Sequence, residues 1–304
     1  MSNRQPTNFA VSAYAKLKNI ADERDWVFMH LLTRYAIERF LYRLSLSPYA
    51  HQFVLKGGNL FVIWQKGNNS RPTIDSDMIC FGNAEPEHLR SVFEDMAKSN
   101  PSPEDGMRYD EQSIQINTIR EETEYGGTRI VLLAYLGNAR INLQFDIGVG
   151  DVITPSPELT DFPVLLNGPV PRIKVYPMAT TIAEKSEVMV SRGMINSRLK
   201  DFYDLWLLSE LFDHDFNILY QAVRNTFACR KVAMPITMPE SWTKEFSASP
   251  QKATQWAAFL RKNSMVTAPT EFPMVGKRIA QFLVPVFFPP SPFPSKWIAG
   301  QGWK

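Results

Sequence analysis

The chain has 304 residues, 44% hydrophobic and 21% charged, an ordinary soluble globular composition with enough apolar content for a sizeable core in one large or two modest domains. Its 33 Lys and Arg against 31 Asp and Glu leave a formal charge of +2, which excludes a general nucleic-acid coat and confines any nucleic-acid contact to a local surface. Two cysteines, Cys80 and Cys229, and four scattered histidines exclude a disulfide framework and a structural zinc site.

The opening Met-Ser-Asn-Arg-Gln-Pro lacks the basic-then-apolar pattern of a signal peptide, and no apolar run approaches a membrane span, so a cytoplasmic location without membrane contact is expected. Val27, Phe28, Leu31, Leu32, Tyr35, Ile37, Leu41 and Leu44 recur mostly three and four apart and predict a helix with one buried face. Arg34, Arg39 and Arg43 fall largely between them. They are expected on a solvated face pairing with Glu38, contact with an RNA backbone being their alternative use. Ser47-Pro48 ends the helix, because proline lacks the donor and restricts the residue before it.

Phe53-Val54-Leu55 predicts a short buried strand or turn, followed by Lys56-Gly57-Gly58-Asn59 and a helix through Leu60-Phe61-Val62-Ile63-Trp64. Residues 66–72 read as a polar loop and 73–79 as a strand, while 85–96 predict an amphipathic helix with Pro86 in its first turn. Residues 128–135 and 141–147 are strands flanking a turn-rich connection and form a hairpin. In the second, Ile141, Leu143, Phe145 and Ile147 share one face and Asn142, Gln144 and Asp146 the other.

From Pro155 to Pro177 the chain reads as irregular, then as helical over 180–190 and 197–212, with Asn196 or Ser197 capping the latter. Further helices are predicted around 216–227, 250–262 and 274–283, with Trp206 and Trp256 in the core. Arg224, Arg230 and Lys231, with Lys252, Arg261 and Lys262, form a second basic candidate for an RNA surface. The tail from Pro285 holds five of the 22 prolines within ten residues and ends in Trp297 and Trp303, predicting an extended, aromatic-anchored strap. There is no internal repeat. The expected division is 1–176, N-terminal helices with a catalytic core, and 177–304, a helical domain with the Pro/Trp-rich tail.

Asp75-Ser76-Asp77 carries the chemistry. In a strand, residues i and i+2 point the same way about 7 Å apart, so both carboxylates converge on one metal site. Asp146, on the polar face of its strand, becomes a third if that strand pairs beside the first. Three carboxylates suit one or two Mg²⁺ ions, whose ligands are oxygens and which position a hydroxyl in line with an α-phosphate while neutralising leaving pyrophosphate. Asp151, after Gly148-Val149-Gly150, competes for the third position. Asp146 is preferred because it lies within the alternating strand. Gly57-Gly58 lets the backbone approach a triphosphate closely, and the helix start after it offers free N–H groups. The Gly-Lys-Ser/Thr ending of a Walker loop is absent.

Several ordered phrases resemble the AbiEii/AbiGii nucleotidyltransferase toxin family, the type IV toxin group of the polymerase-beta-like nucleotidyltransferase superfamily. They run from about Tyr35 to Phe212: Arg39-Phe40-Leu41-Tyr42-Arg43-Leu44, Phe53-Val54-Leu55-Lys56-Gly57-Gly58, Arg71-Pro72-Thr73-Ile74-Asp75-Ser76-Asp77, Phe145-Asp146-Ile147-Gly148-Val149-Gly150-Asp151, Ala183-Glu184-Lys185 and Ser197-Arg198-Leu199-Lys200-Asp201-Phe202-Tyr203-Asp204. The resemblance implies an α+β nucleotidyltransferase fold, a mixed sheet flanked by helices, with N-terminal helices and a C-terminal helical region. It also implies NTP and Mg²⁺, a cognate antitoxin, and transfer of a nucleoside monophosphate, most directly to a tRNA 3′ end.

Carried over by position, Asp75 and Asp77 match the metal pair, Lys56, Gly57, Gly58, Asn59, Arg71 and Thr73 the nucleotide side, and Lys185 the family's essential lysine on the phosphates. The family's further acid falls on Asp201 or Asp204, three apart on one helix, and Arg198 offers a second phosphate contact through its planar fork. Asn59 stands where superfamily members often have serine, which bears on nucleotide preference, and Ser76 where many relatives are apolar. Transfer to a protein or small-molecule hydroxyl, and a non-catalytic nucleotide-binding module, are the rival readings.

Overall fold

In the computed structural model, which describes residues 8–68, 73–119, 126–263 and 267–304, the chain divides into two units, Met1–Gly150 with Glu158–Val175 and Asp151–Pro157 with Tyr176–Lys304. The first opens with α1 (Phe9–Arg24), capped by the Asn8 side chain on the Val11 amide, and α2 (Phe28–Leu46), which Ser47 ends as predicted. Next come β1 (Phe53–Lys56), the glycine turn, α3 (Leu60–Trp64), β2 (Asp75–Cys80) and α4 (Pro86–Lys98). The strands β3 (Met107–Ile119), β4 (Gly127–Leu136), β5 (Ala139–Gly148), β6 (Glu158–Asp161) and β7 (Arg172–Val175) complete this unit.

These strands form one sheet in the order β3-β4-β5-β2-β1-β7-β6. It is mixed, as expected: β2 runs parallel to β5 and β1 parallel to β7, while β1–β2, β3–β4, β4–β5 and β6–β7 are antiparallel. The inward residues of β5, Ile141, Leu143, Phe145 and Ile147, are all buried. Phe145 meets Phe40 of α2 at 4.7 Å and Phe93 of α4 at 5.1 Å between ring centroids, and Phe40 meets Phe93 at 5.1 Å, so one aromatic cluster fastens both helices to the sheet.

Three strands of this sheet escape sequence reading. β3 is an edge strand with only Met107, Tyr109 and Ile114 buried, and its register shifts between Asp110 and Gln115, so no apolar alternation advertises it. β6 and β7 are four residues each within the proline-rich stretch and are defined by pairing with each other and with β1.

α2 departs from the predicted solvated face: every side chain from Leu31 to Leu44 is buried, Arg34, Glu38, Arg39 and Arg43 included. Each charge finds a partner distant in sequence. Arg43 forks onto Asp105 at 2.6 and 3.1 Å, Arg39 donates to the Pro169 carbonyl at 2.9 Å and pairs with Glu38 at 2.9 Å, and Arg34 donates to the Gly67 carbonyl at 3.0 Å. The Leu165 amide donates to Glu38 at 2.8 Å. These arginines lock loops to a central helix and are withdrawn from any RNA backbone.

Burial pushes the Glu38 carboxyl up to about 7, against the pull of Arg39, the Leu165 amide and Arg34. A pKa raised above its unfolded value of 4.5 contributes stability that is fully present below about pH 4.5 and lost as pH rises through about 7. Urea unfolding is therefore expected to show a loss on the order of 2 kcal/mol between pH 5 and pH 8, mostly abolished by Glu38→Gln. Equal pH dependence in the wild type and variant would contradict this assignment.

The second unit contains α5 (Met178–Arg192), α6 (Leu199–Leu211), β8 (His214–Asp215), α7 (Phe216–Cys229), α8 (Lys244–Ser247), α9 (Pro250–Asn263), α10 (Phe272–Phe287), β9 (Lys296–Ile298) and β10 (Gly302–Trp303). Asp215 caps α7 by accepting from the Ile218 amide at 2.9 Å. Neither Asn196 nor Ser197 caps α6. Arg198 holds the cap position, and Asn196 accepts from the Arg198 amide in a turn ahead of the helix. Trp256 is fully buried, as predicted.

The tail corrects the strap expectation. Pro285 lies inside the last turn of α10, whose φ it satisfies, and the chain beyond folds back as β9 and β10, which build a three-stranded sheet with β8. Its aromatic anchoring holds: Trp297 donates to the Ser209 carbonyl at 2.8 Å and Trp303 to the Phe282 carbonyl at 2.9 Å. Among the described residues no helix is long and apolar enough to cross a membrane.

Candidate active site

The candidate site is built on the central strands of the seven-stranded sheet. Alternation along β2 leaves Asp75 and Asp77 half-buried on one face and sends Ser76, fully buried, to the other. Parallel pairing with β5 sets Asp77 in register with Asp146 and Asp75 with Gln144. One carboxylate oxygen from each of Asp75, Asp77 and Asp146 lies within 4.8 Å of the others, so the structure brings Asp146 to the aspartate pair. Three oxygen donors so close suit a hard divalent cation.

The row continues on both sides. Lys56 of β1 is in register with Asp77, and Arg129 of β4 with Asp146, giving the order Lys56, Asp77, Asp146, Arg129 across four adjacent strands. Arg129 forks onto Asp146, Nε to Oδ1 and Nη2 to Oδ2, both at 2.8 Å. Gln144 donates to the same two oxygens at 3.4 and 3.2 Å. The hydrogen bonds and charge of Asp146 raise the Arg129 pKa, Asp75 and Asp77 adding to the effect. Arg129 was not legible as a site residue, although a signal existed. A two-residue turn at Gly137-Asn138 pairs Leu136 with Ala139, and counting back along both strands puts Arg129 opposite Asp146.

The glycine turn lies against the same carboxylates. Gly57 has φ +72°, a region costly for any L side chain, and a Cβ there would sit 2.7 Å from Asp77 Cγ and 2.8 Å from its Cβ. Asn59 is 2% exposed and its Nδ2 donates to the Asp75 carbonyl at 2.9 Å, stapling the turn to the start of β2. Thr73 is buried just before β2, and its hydroxyl has no hydrogen-bond partner among the described residues. Arg71 lies outside the described residues.

The second unit holds its own cluster. Lys185 on α5 pairs with Asp201 at 2.6 Å and Asp204 at 2.9 Å, both buried on α6, and Arg198 donates to the other Asp201 oxygen at 2.7 Å. The structure therefore draws both candidate acids to Lys185. Burial works against the Asp201 carboxylate, yet Lys185 and Arg198 outweigh it and hold its pKa well below the usual carboxylate range.

Asp151 belongs to a different network. Arg230 pairs with Asp151 at 3.0 Å, Glu187 at 2.8 Å and Glu184 at 3.5 Å, and so ties the 151–157 segment into the second unit. Burial opposes the Arg230 charge, and Glu184, Asp151 and Glu187 together raise its pKa above the ordinary value. Arg230 is thus a structural tie and not part of a basic surface. Lys252 is likewise buried, its ammonium donating to the Asn196 carbonyl. Arg224, Lys231, Arg261 and Lys262 remain exposed.

A mixed sheet carrying aspartates on neighbouring central strands beside a close-packed glycine turn is an arrangement that fits a nucleotidyltransferase. Residues 39–281 match the family described as nucleotidyl transferase AbiEii toxin, type IV toxin–antitoxin system, and the chain belongs to that family. Membership implies an NTP substrate and an antitoxin partner.

The fold is similar to that of MenT4, a nucleotidyltransferase toxin from Mycobacterium tuberculosis H37Rv, with a TM-score of 0.55 and 14% identity over 89% of this chain and 86% of that one. JHP933 from Helicobacter pylori gives 0.49 and 12% identity over 82% and 88%, and a nucleotidyltransferase structure from H. pylori 0.47 and 12% over 82% and 90%. No curated protein matches the sequence.

Proposed function

We propose that this toxin is a Mg²⁺-dependent enzyme that transfers a nucleoside monophosphate from an NTP to the 3′ end of a tRNA. The observation that carries the reading is the convergence of Asp75, Asp77 and Asp146 within 4.8 Å beside the Gly57 turn. These three carboxylates are the donors for the metal, whose bound charge would offset that of the triphosphate and of the leaving pyrophosphate.

The chain's own groups supply placement. Gly57 and Gly58 present bare backbone to the triphosphate, Asn59 fixes that turn to Asp75, and Lys56 adds positive charge at the edge of the acidic row. Thr73, two residues before β2, and Arg71, outside the described residues, are assigned to the nucleotide side by their positions in the family pattern. In the second unit Lys185, which matches the family's essential lysine by position, is held in orientation by Asp201 and Asp204, and Arg198 pairs with the same Asp201. Binding energy from the residues around the acidic row orients the acceptor hydroxyl for in-line attack.

A second reading, transfer to a protein or small-molecule hydroxyl, is favoured by the burial of Arg34, Arg39, Arg43 and Lys252, which removes much of the basic surface an RNA would grip. Incubation with each α-labelled NTP, total RNA and a lysate, followed by separation of the labelled product, tests both. Label in tRNA, lost on ribonuclease treatment, is expected. Label confined to protein or small molecules would replace the tRNA assignment with the second reading.

A further inference from the structure

We infer that the open face of β3, β4 and β5 is the track for the single-stranded 3′ end of the acceptor RNA, with Arg108, Tyr135 and Arg140 gripping the nucleotides that precede the reacting hydroxyl. The inference rests on the tRNA reading above and deepens it by assigning the acceptor a surface.

Register puts this face and the acidic row on the same side of the sheet. The polar side of β5 that carries Asp146 also carries Arg140, Asn142 and Gln144, opposite the buried Ile141, Leu143 and Phe145. Across the β4–β5 ladder, Tyr135 stands beside Arg140, Leu133 beside Asn142 and Val131 beside Gln144. On the other side β3 places Arg108 beside Tyr135, so Arg108, Tyr135 and Arg140 form a line across three strands. That line lies six residues along β4 from Arg129, the partner of Asp146. At about 3.3 Å per residue the separation is roughly 20 Å, the length of a few nucleotides. The stretch between is open: Asn142 is exposed, and Val131 and Leu133 are only half-buried.

The far line has the chemistry a single strand uses. The Arg108 guanidinium lies 4.1 Å from the centre of the Tyr135 ring, a cation–π stack. Bases stack on aromatic rings and on guanidinium planes with little regard to sequence. Arg108 and Arg140 are both exposed, and neither makes an ion pair among the described residues. They differ in this from Arg34, Arg39 and Arg43, whose charges are enclosed. Asp110 is the acid that β3 sets beside Leu133, and its carboxylate accepts the Gln112 amide at 3.2 Å. The two arginines outweigh it. Phosphates answer the arginines, bases answer the stacked pair, and the Asn142 amide can reach a base edge. An isolated hydroxyl on a small molecule would use none of these groups.

Filter binding without NTP, at several salt concentrations, tests this with a tRNA transcript and the same transcript lacking its unpaired 3′ nucleotides. Wild type is expected to hold the intact transcript more tightly. Tyr135→Ala should weaken that binding about tenfold, the scale of losing one stacked base. Arg108→Gln combined with Arg140→Gln should reduce the slope of log affinity against log salt by about 1.4, roughly 0.7 for each phosphate contact to a single strand. Both variants should bind the shortened transcript as wild type does. The arginine pair, exposed throughout, decides the question alone if Tyr135→Ala lowers the melting temperature. Equal binding of the two transcripts by wild type, an unchanged salt slope in the arginine variant, or the same loss on both transcripts would each overturn the inference while leaving tRNA as the acceptor. A wild type that neither binds nor labels tRNA would instead overturn the tRNA reading, and the inference with it.

Discussion

Asp77→Asn is expected to lower nucleotidyl transfer by about 10²–10³-fold or more, the scale on which removing a direct electrostatic element of a transfer site is felt, and to abolish growth inhibition. Asp77 is the middle of the row, in register with Lys56 on one side and Asp146 on the other, and its side chain is the one that Gly57 packs against. The amide keeps the shape and removes the charge that a metal would require. A folded Asp77→Asn protein with wild-type transfer would show that the acidic row is not the reacting centre.

Gly57→Ala should come close to this in activity and differ in stability. At φ +72° an alanine pays about 1–2 kcal/mol for the left-handed backbone, and its Cβ would overlap the Asp77 side chain at 2.7 and 2.8 Å from Cγ and Cβ. Either Asp77 turns away from the row or the turn shifts away from β2, against the Asn59 staple on the Asp75 carbonyl. A loss of transfer near 100-fold, on the scale set by misplacing a catalytic group by about 1 Å, is expected with a measurable drop in melting temperature. Asn59→Ala removes only the staple and should fall between Gly57→Ala and wild type. Full activity in Gly57→Ala would show that the tight approach is incidental.

Much of this site was legible because its geometry is local or strictly periodic. The spacing of Asp75 and Asp77 fixes a shared face, and the alternation from Ile141 to Ile147 puts Asp146 on the polar side of β5. Sequence could not show that β2 and β5 lie side by side and parallel, since that depends on the order of the whole sheet. Arg129 lay one inference away: residues 136–140 read as a turn-rich connection, and only the exact two-residue turn at Gly137-Asn138 sets Arg129 opposite Asp146.

The charged residues of α2 mark the opposite limit. Arg34, Glu38, Arg39 and Arg43 carry every sign of a solvated stripe, yet their partners arrive from as far as 130 residues along the chain. No periodicity within a helix reports that loops will close over it. The same holds for Arg230 and Lys252, where a basic surface was expected and enclosed cations are found. The Lys185 cluster was named through family resemblance alone, and its ion pairs with both Asp201 and Asp204 give that resemblance a physical form.

The central claim is that the acidic row across β2 and β5 is a metal-dependent nucleotidyl-transfer centre. It is tested most directly by incubating the purified protein with α-labelled NTPs and total RNA, with Mg²⁺ or with a chelator, alongside Asp77→Asn. Label is predicted to reach a macromolecular product only in the wild type with Mg²⁺, with pyrophosphate released in equal amount. Label transfer that persists in the chelator or in Asp77→Asn would contradict the claim.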